Sequence, residues 1–194
     1  AIPFLKMLES VKNDPFIPIA WQKDHSGMQG TEYFTNPLDI QYLIDTHLQG
    51  RDTAVQSARL KSTKGLTKQL CNRDLEPYMW TTMLITGSKE GWDNFFSLRC
   101  PIYIGETYQG GKLIESHNFK SWKDLCKAGY NSEEAGVIQR LESNRGQAEI
   151  HMMALAESIW DSVNESEPDI LSEYKWHIPF YSDIYSIYQK AGIN

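Results

Sequence analysis

Apolar residues recur at helical spacing in several stretches of this chain, and elsewhere they crowd into short runs bounded by glycine and proline. Phe4, Leu5, Leu8 and Val11 mark one helical face up to Lys12, with Pro3 suited to the first turn. Asn13-Asp14-Pro15 ends that helix with turn chemistry. Residues 16–21 are apolar but carry Pro18, which predicts an edge strand or extended arm rather than a central strand. A long helical region follows Asn36-Pro37, with Asn36 or Asp39 as its cap. Leu38, Tyr42, Leu43, His47 and Leu48 begin its stripe, and Ala54, Val55, Ala58 and Leu60 continue it; Gly50 is expected to bend or break it. A second helix over roughly 64–72 leads into Arg73.

Residues 70–99 organise the rest. Glu76-Pro77 stops the preceding helix, because the residue before a proline is pushed out of helical geometry. Residues 78–86 are dense in aromatic, β-branched and other apolar side chains, which predicts a buried strand. After Gly87-Ser88, residues Trp92, Phe95, Phe96 and Leu98 fall at helical spacing, ending at Arg99. Between 101 and 145 the pattern shortens. It predicts a hairpin turning at Gly110-Gly111, a short helix capped by Ser121, and another from Glu133 to about Glu142. From Gln147 to about Val163 the residues are apolar nearly all round, so this helix is expected to be central and buried, with Met152 and Met153 filling the core. Glu149 inside it calls for a partner, for which Arg99 and Arg145 are the candidates. Residues 164–168 read as a polar linker, 176–180 as a short strand or packed segment, and 183–194, with Tyr185 and Tyr188, as a terminal helix. The whole predicts an α+β fold: long helices packed on a small mixed or antiparallel sheet, a single domain over 1–194, with a small α/β insertion at about 101–145.

Composition narrows this picture. The 194 residues are 41% hydrophobic and 12% aromatic, which suits a folded chain. A net charge of −6 removes any bulk electrostatic case for nucleic acid or membrane binding. The densest positive run, Arg59, Lys61, Lys64 and Lys68, reads as a solvated helix face. Three cysteines without CxxC spacing read as reduced thiols, with neither a disulfide framework nor a zinc cluster. No apolar run approaches the roughly 20 residues a membrane span needs. Reduced thiols make a cytoplasm the expected setting.

The candidate chemistry lies at Arg73 and Arg99, which flank the aromatic-rich unit. A guanidinium binds phosphates or carbonyl edges through two parallel hydrogen bonds, so two such forks converging near an aromatic wall suit a nucleotide. The other reading pairs each arginine with a nearby acid among Asp74, Glu76, Glu90 and Asp93.

The order of these residues resembles a known family. Asn72-Arg73-Asp74-Leu75-Glu76-Pro77, then Asn94-Phe95-Phe96-Ser97-Leu98-Arg99, then Gln147-Ala148-Glu149-Ile150 is similar to the C-terminal half of the flavin-dependent thymidylate synthases, especially phage-type members. The first 30 residues and Trp176-His177-Ile178-Pro179-Phe180 look like the phage branch as well. The resemblance implies that Arg73 contacts the substrate dUMP, that Asn94 approaches the flavin, and that Arg99 contacts the uracil ring and acts in catalysis. It also implies FAD as cofactor, methylene-tetrahydrofolate and NADPH as cosubstrates, and a homotetramer with active sites formed between subunits. Where catalytic members have a histidine near the start of the last helix, this sequence has Arg145.

One departure changes the expectation. The family's Arg-His-Arg signature, which in the phage branch precedes an Ala-Ile-Pro like the one opening this sequence, is not in these residues. That implies the downstream part of a split, spliced or processed protein working with a complementing N-terminal segment, or a reduced homologue; Ala1 is also what removal of an initiator Met leaves. Two functions are therefore carried forward. One is flavin-dependent methylation or hydroxymethylation at C5 of dUMP. The other is a non-catalytic homologue serving as a nucleotide-binding, DNA-binding or assembly subunit. The insertion weakly resembles helix-turn-helix modules found beside phage homing endonucleases. Against a DNA-reading role, it offers little cation beyond Lys120, Lys123, Lys127 and Arg140.

Overall fold

Met7, Leu8 and Val11 fall on one face of the first helix, α1 (Phe4–Asn13), and it is this face that the chain buries. The computed structural model describes residues 3–26, 30 and 32–167. The second helix, α2 (Pro37–Thr63), starts where the Asn36 side chain accepts a hydrogen bond from the Leu38 N–H at 2.9 Å and proline occupies the first turn. It runs without interruption through Gly50. A Cβ there would stand 2.7 Å from the Tyr78 hydroxyl, so the glycine admits a close neighbour instead of breaking the helix. The short helix α3 (Lys68–Arg73) follows, and Leu75 after it completes a core with Leu8, Val11, Val55 and Ala58. Only part of the predicted stripe on α2 is used: Leu38 is 79% exposed, and Tyr42 and Leu60 also face solvent.

Asp74 ties this bundle together. Its carboxylate accepts from Lys61 Nζ at 2.7 Å and from the Ser57 hydroxyl at 2.8 Å, both on α2. These bonds, with the Lys61 charge, outweigh partial burial and hold the carboxyl below its usual range.

Residues 79–88 depart from the expected buried strand. After a single 3-10 turn at Glu76–Tyr78 they run without regular structure, and all but Met79 are exposed. Among the described residues, positions 80–87 make no backbone–backbone hydrogen bond. A strand exists through its neighbour's hydrogen bonds. The two strands that do form here, β1 (Tyr103–Gln109) and β2 (Lys112–Phe119), pair with each other. Their antiparallel hairpin turns at Gly110 and Gly111, where φ is 58° and 77°, as the glycine pair predicts.

Ser88 caps the next helix, α4 (Lys89–Arg99), by accepting from the Gly91 N–H. Phe96 of α4 packs with Trp92, Phe95 and Cys100 against Ala156, Ile159 and Trp160 of the last described helix. In the insertion, Ser121 caps a short helix, α5 (Trp122–Lys127), and Tyr103, Trp122 and Leu125 form its own small core. The following helix, α6 (Val137–Ser143), begins four residues later than the sequence predicts. The last helix, α7 (Ile150–Glu165), buries Ile150, Met153 and Ala156 but leaves Met152 and Leu155 exposed. It is therefore one-sided rather than buried all round.

The described residues thus form an α+β fold of seven helices, 53% helical, with one small two-stranded antiparallel sheet. The chain divides into compact units over 1–162 and 163–194, and of the second only the end of α7 and the residues to 167 are described. The predicted segment at 176–180 and the helix at 183–194 lie outside the described residues. Among those described, no helix is long and apolar enough to cross a membrane.

Leu8→Ala, at a fully buried site, is expected to cost about 3 kcal/mol of unfolding free energy, and Leu38→Ala less than about 0.5 kcal/mol; urea denaturation of both variants checks this. Because folding depresses the Asp74 pKa, its contribution is present at neutral pH and lost as pH falls through the carboxylate range. Asp74→Asn is accordingly expected to destabilise more at pH 7 than at pH 3, measured on the same denaturation assay.

Candidate functional site

Arg73 closes α3 with its side chain 72% exposed, and its guanidinium meets Glu76 Oε2 at 3.4 Å. For this residue the structure shows the local-acid pairing. Arg99 closes α4, exposed, and makes no hydrogen bond or ion pair among the described residues. A cation at a helix C-terminus is favourable by itself, since unpaired carbonyls carry partial negative charge there. Asn94 is exposed on the same helix, its side chain also without a hydrogen-bond partner among the described residues, while its carbonyl accepts from Ser97 Oγ at 2.8 Å. Five residues separate Asn94 from Arg99, which places them about 140° apart around the helix. No hydrogen bond or ion pair joins Arg73 to either one. Arg73 follows the α1–α2–α3 core, while α4 packs on α7.

Glu149 finds neither of the expected arginines. Its carboxylate accepts from the backbone N–H groups of His151 and Met152, at 3.0 and 3.1 Å, and from His151 Nδ1 at 2.6 Å. It caps the start of α7, supplying the acceptors that a helix N-terminus lacks. Burial pushes the Glu149 carboxyl upward, but the bonds from His151 and the backbone prevail and hold it below the usual range. His151 Nε2 accepts from the Ile19 N–H at 3.2 Å, which assigns the ring proton to Nδ1. The Arg145 guanidinium instead donates to the Glu142 and Asn144 carbonyls, at 2.7 and 3.4 Å. Phe16 sets its ring against His151 and Trp80, at 5.5 and 5.2 Å between centroids, and so packs the arm of residues 16–21 between α7 and the irregular segment.

A cavity of about 470 Å³ opens elsewhere, where α7 meets the insertion. Tyr103, Trp122, Asn144 and Met153 line it with Glu133, Glu157 and Asp161, opposite the cations Lys123 and Arg140. Glu157 reaches from α7 to accept from the Trp122 N–H at 2.6 Å and from the Tyr103 hydroxyl at 3.4 Å. Burial pushes its carboxyl above the ordinary value, the charge of Asp161 adds to the rise, and the Trp122 N–H and Arg140 oppose it. The Arg140 guanidinium donates to the Ala135 and Glu133 carbonyls and lies 5.7 Å from the Trp122 ring centre. Nothing in the sequence analysis marked this place. The available signal was a pair of acids, Glu157 and Asp161, four residues apart and so on one face of the helix.

Thiol chemistry gains little here. Burial pushes the Cys100 thiol up to about 11 and raises Cys126 as well, so neither is a thiolate near neutral pH.

No family model, curated protein or solved structure matches this chain. The geometry alone must therefore be set against the expected flavin. Neither principal cavity is lined by Arg73, Asn94 or Arg99. A flavin dinucleotide needs apolar walls for its ring and cations or N–H groups for its diphosphate. The cavity beside α7 carries more carboxylates than cations, and the exposed end of α4 supplies polar contacts without walls. The described residues of one copy do not by themselves fit FAD.

Glu157→Gln keeps an acceptor for the Trp122 N–H and removes the titration. A raised folded-state pKa gives stability that is present in acid and lost as pH rises through the folded value. Relative to the variant, the wild type is therefore expected to lose stability from pH 4 to pH 7 in a denaturation series. The opposite slope would show that Glu157 is stabilised as the anion.

Proposed function

We propose that this chain is a subunit of a flavin-dependent, thymidylate synthase-like enzyme that transfers a one-carbon unit to C5 of dUMP, drawing on methylene-tetrahydrofolate and NADPH. One observation supports the reading beyond the resemblance. The aromatic face of α4 is packed on α7 while Asn94 and Arg99 are exposed, their side chains without a partner among the described residues. When bound, FAD supplies the redox chemistry. The chain's own residues would position and stabilise: Arg99 would offset negative charge on a bound uracil ring, and Asn94 would offer a hydrogen bond to the flavin. Arg73 binds the nucleotide by exchanging its exposed bond to Glu76, a pairing worth little in water. Since one copy does not enclose the cofactor, the missing walls come from another subunit of a homo-oligomer, such as a tetramer, or from a complementing N-terminal segment. The reading places the protein in the cytoplasm of a bacterium or infected host cell.

A second reading, a non-catalytic nucleotide-binding or assembly subunit, is favoured by the Arg73–Glu76 pair and by the separate cores that carry Arg73 and Arg99. DNA binding by the insertion is less favoured, because Arg140, one of its few cations, is turned inward onto Trp122.

Titration of the purified chain with FAD, then dUMP, followed by visible absorbance, separates the two. The flavin reading expects a bound flavin band that shifts on adding dUMP, with the shift reduced at least tenfold in apparent affinity by Arg99→Ala. A chain that leaves the FAD spectrum unchanged, alone and with dUMP, would support the non-catalytic reading.

A further inference from the structure

The irregular segment between α3 and α4 is the least accounted-for part of the fold. Trp80, Met83, Leu84 and Ile85 are 57%, 68%, 61% and 51% exposed. No charged residue lies between Glu76 and Lys89, and no proline between Pro77 and Ser88. The backbone donors and acceptors at 80–87 have no backbone partner among the described residues. Such a run of β-branched, aromatic and apolar residues is a strand in everything but its partner, and in water it is a template for pairing.

We propose that a second copy of this chain pairs with it, the two segments forming an antiparallel ladder about a two-fold axis at Thr82. Closed dimers use the same patch on both copies, so that patch must be complementary to itself. About an axis at Thr82, Trp80 faces Leu84 of the other copy, Met79 faces Ile85, and Thr82 faces Thr82. Trp80, Leu84, Met79 and Ile85 thus meet apolar partners while Met83 faces Thr81, and β-branched or aromatic cross-strand pairs of this kind stabilise a ladder. The flanking charges agree. Antiparallel pairing brings the Glu76 end of one segment to the Lys89 end of the other, whereas a parallel pair would set like charges together. The seven residues from Met79 to Ile85 make about six to eight main-chain hydrogen bonds, within the range a protein interface of ordinary size carries. The ladder is independent of the flavin reading: it involves none of Arg73, Asn94 or Arg99, and it stands whether or not the protein binds FAD.

A charge at position 82 tests the axis, because there a residue meets its own copy. Sedimentation or light scattering of the full chain at about 50 μM, where a dimer of micromolar affinity is largely assembled, gives the mass. The wild type is expected at two chains of 22.3 kDa or an even multiple. Thr82→Lys and Thr82→Asp are each expected at half the wild-type mass, and an equimolar mixture of the two should regain it. That recovery also shows that both variants fold. Amide hydrogen exchange at 80–85 should slow in the assembled wild type and speed up in either variant alone. A monomeric wild type would overturn the proposal, and one whose 80–85 amides are nonetheless protected would assign the segment to another part of the same chain. Variants that keep the wild-type mass, a mixture that fails to re-form, or open-ended polydisperse assemblies would overturn it equally.

Discussion

The hydrogen bond that the Trp122 N–H donates to the Glu157 carboxylate carries more of this fold than its 2.6 Å suggests. It crosses from α7 to the first turn of α5, and the Tyr103 hydroxyl joins it from β1. A second bond, from the Trp160 indole to the Asp124 carboxylate at 2.7 Å, runs between the same two helices in the opposite sense. Each serves a group that burial would otherwise leave short of a partner: a helix N-terminal N–H in one case, an indole N–H in the other. Together they fasten the insertion to the helix on which α4 and the arm of residues 16–21 also pack. Ile150 and Met153 meet Ala20, while Ala156 meets Phe96. The insertion is therefore anchored in the structure through α7 and is not an ornament on a loop.

That arrangement separates the molecule's charges. Carboxylates gather where α7 faces the insertion and enclose a cavity unsuited to phosphates. The outward end of α4 carries Arg99 with its guanidinium unpaired among the described residues, and Arg73 stands at the end of another helix on another core. An anionic ligand would thus be met at the exposed helix ends and not in the cavity. A site made of exposed helix ends needs walls from outside a single copy. The uncharged segment from 77 to 88, which joins α3 to α4, places an unpaired apolar edge between those two ends. The strongest chemical signal and the strongest assembly signal are thus neighbours along the chain.

The parts of the fold legible in the sequence were those fixed by residues close in the chain. Asn36 and Ser121 cap helices because an N-cap bond spans two or three residues, and Gly110-Gly111 turns the hairpin because only glycine adopts that backbone freely. The face of α1 followed from its spacing in part: Leu8 and Val11 are buried as expected, but Met7 joins them and Leu5 is exposed. Most of the misread positions depended on distant partners, Glu149 being the exception with its partners two and three residues on. Gly50 looked like a breaker because the Tyr78 hydroxyl lies 28 residues further on. Glu149 was matched to an arginine, but His151 and the helix start already satisfied it. The cavity around Glu157 went unseen because its walls come from β1, α5, α6 and α7, and no spacing along one element records that convergence.

The sequence by itself determined most of the helices, the hairpin with its glycine turn, several caps and the α+β class, because these depend on propensities and hydrogen bonds that act over a few residues. Tertiary structure alone decided which apolar faces found partners. Val55 and Ala58 were buried and Leu38 was not, although all three belong to one stripe. It also left residues 80–87 without a backbone strand partner among the described residues, although Trp80 meets Phe16. Burial is a property of pairs of surfaces, and a hydrophobic pattern specifies only one of the two.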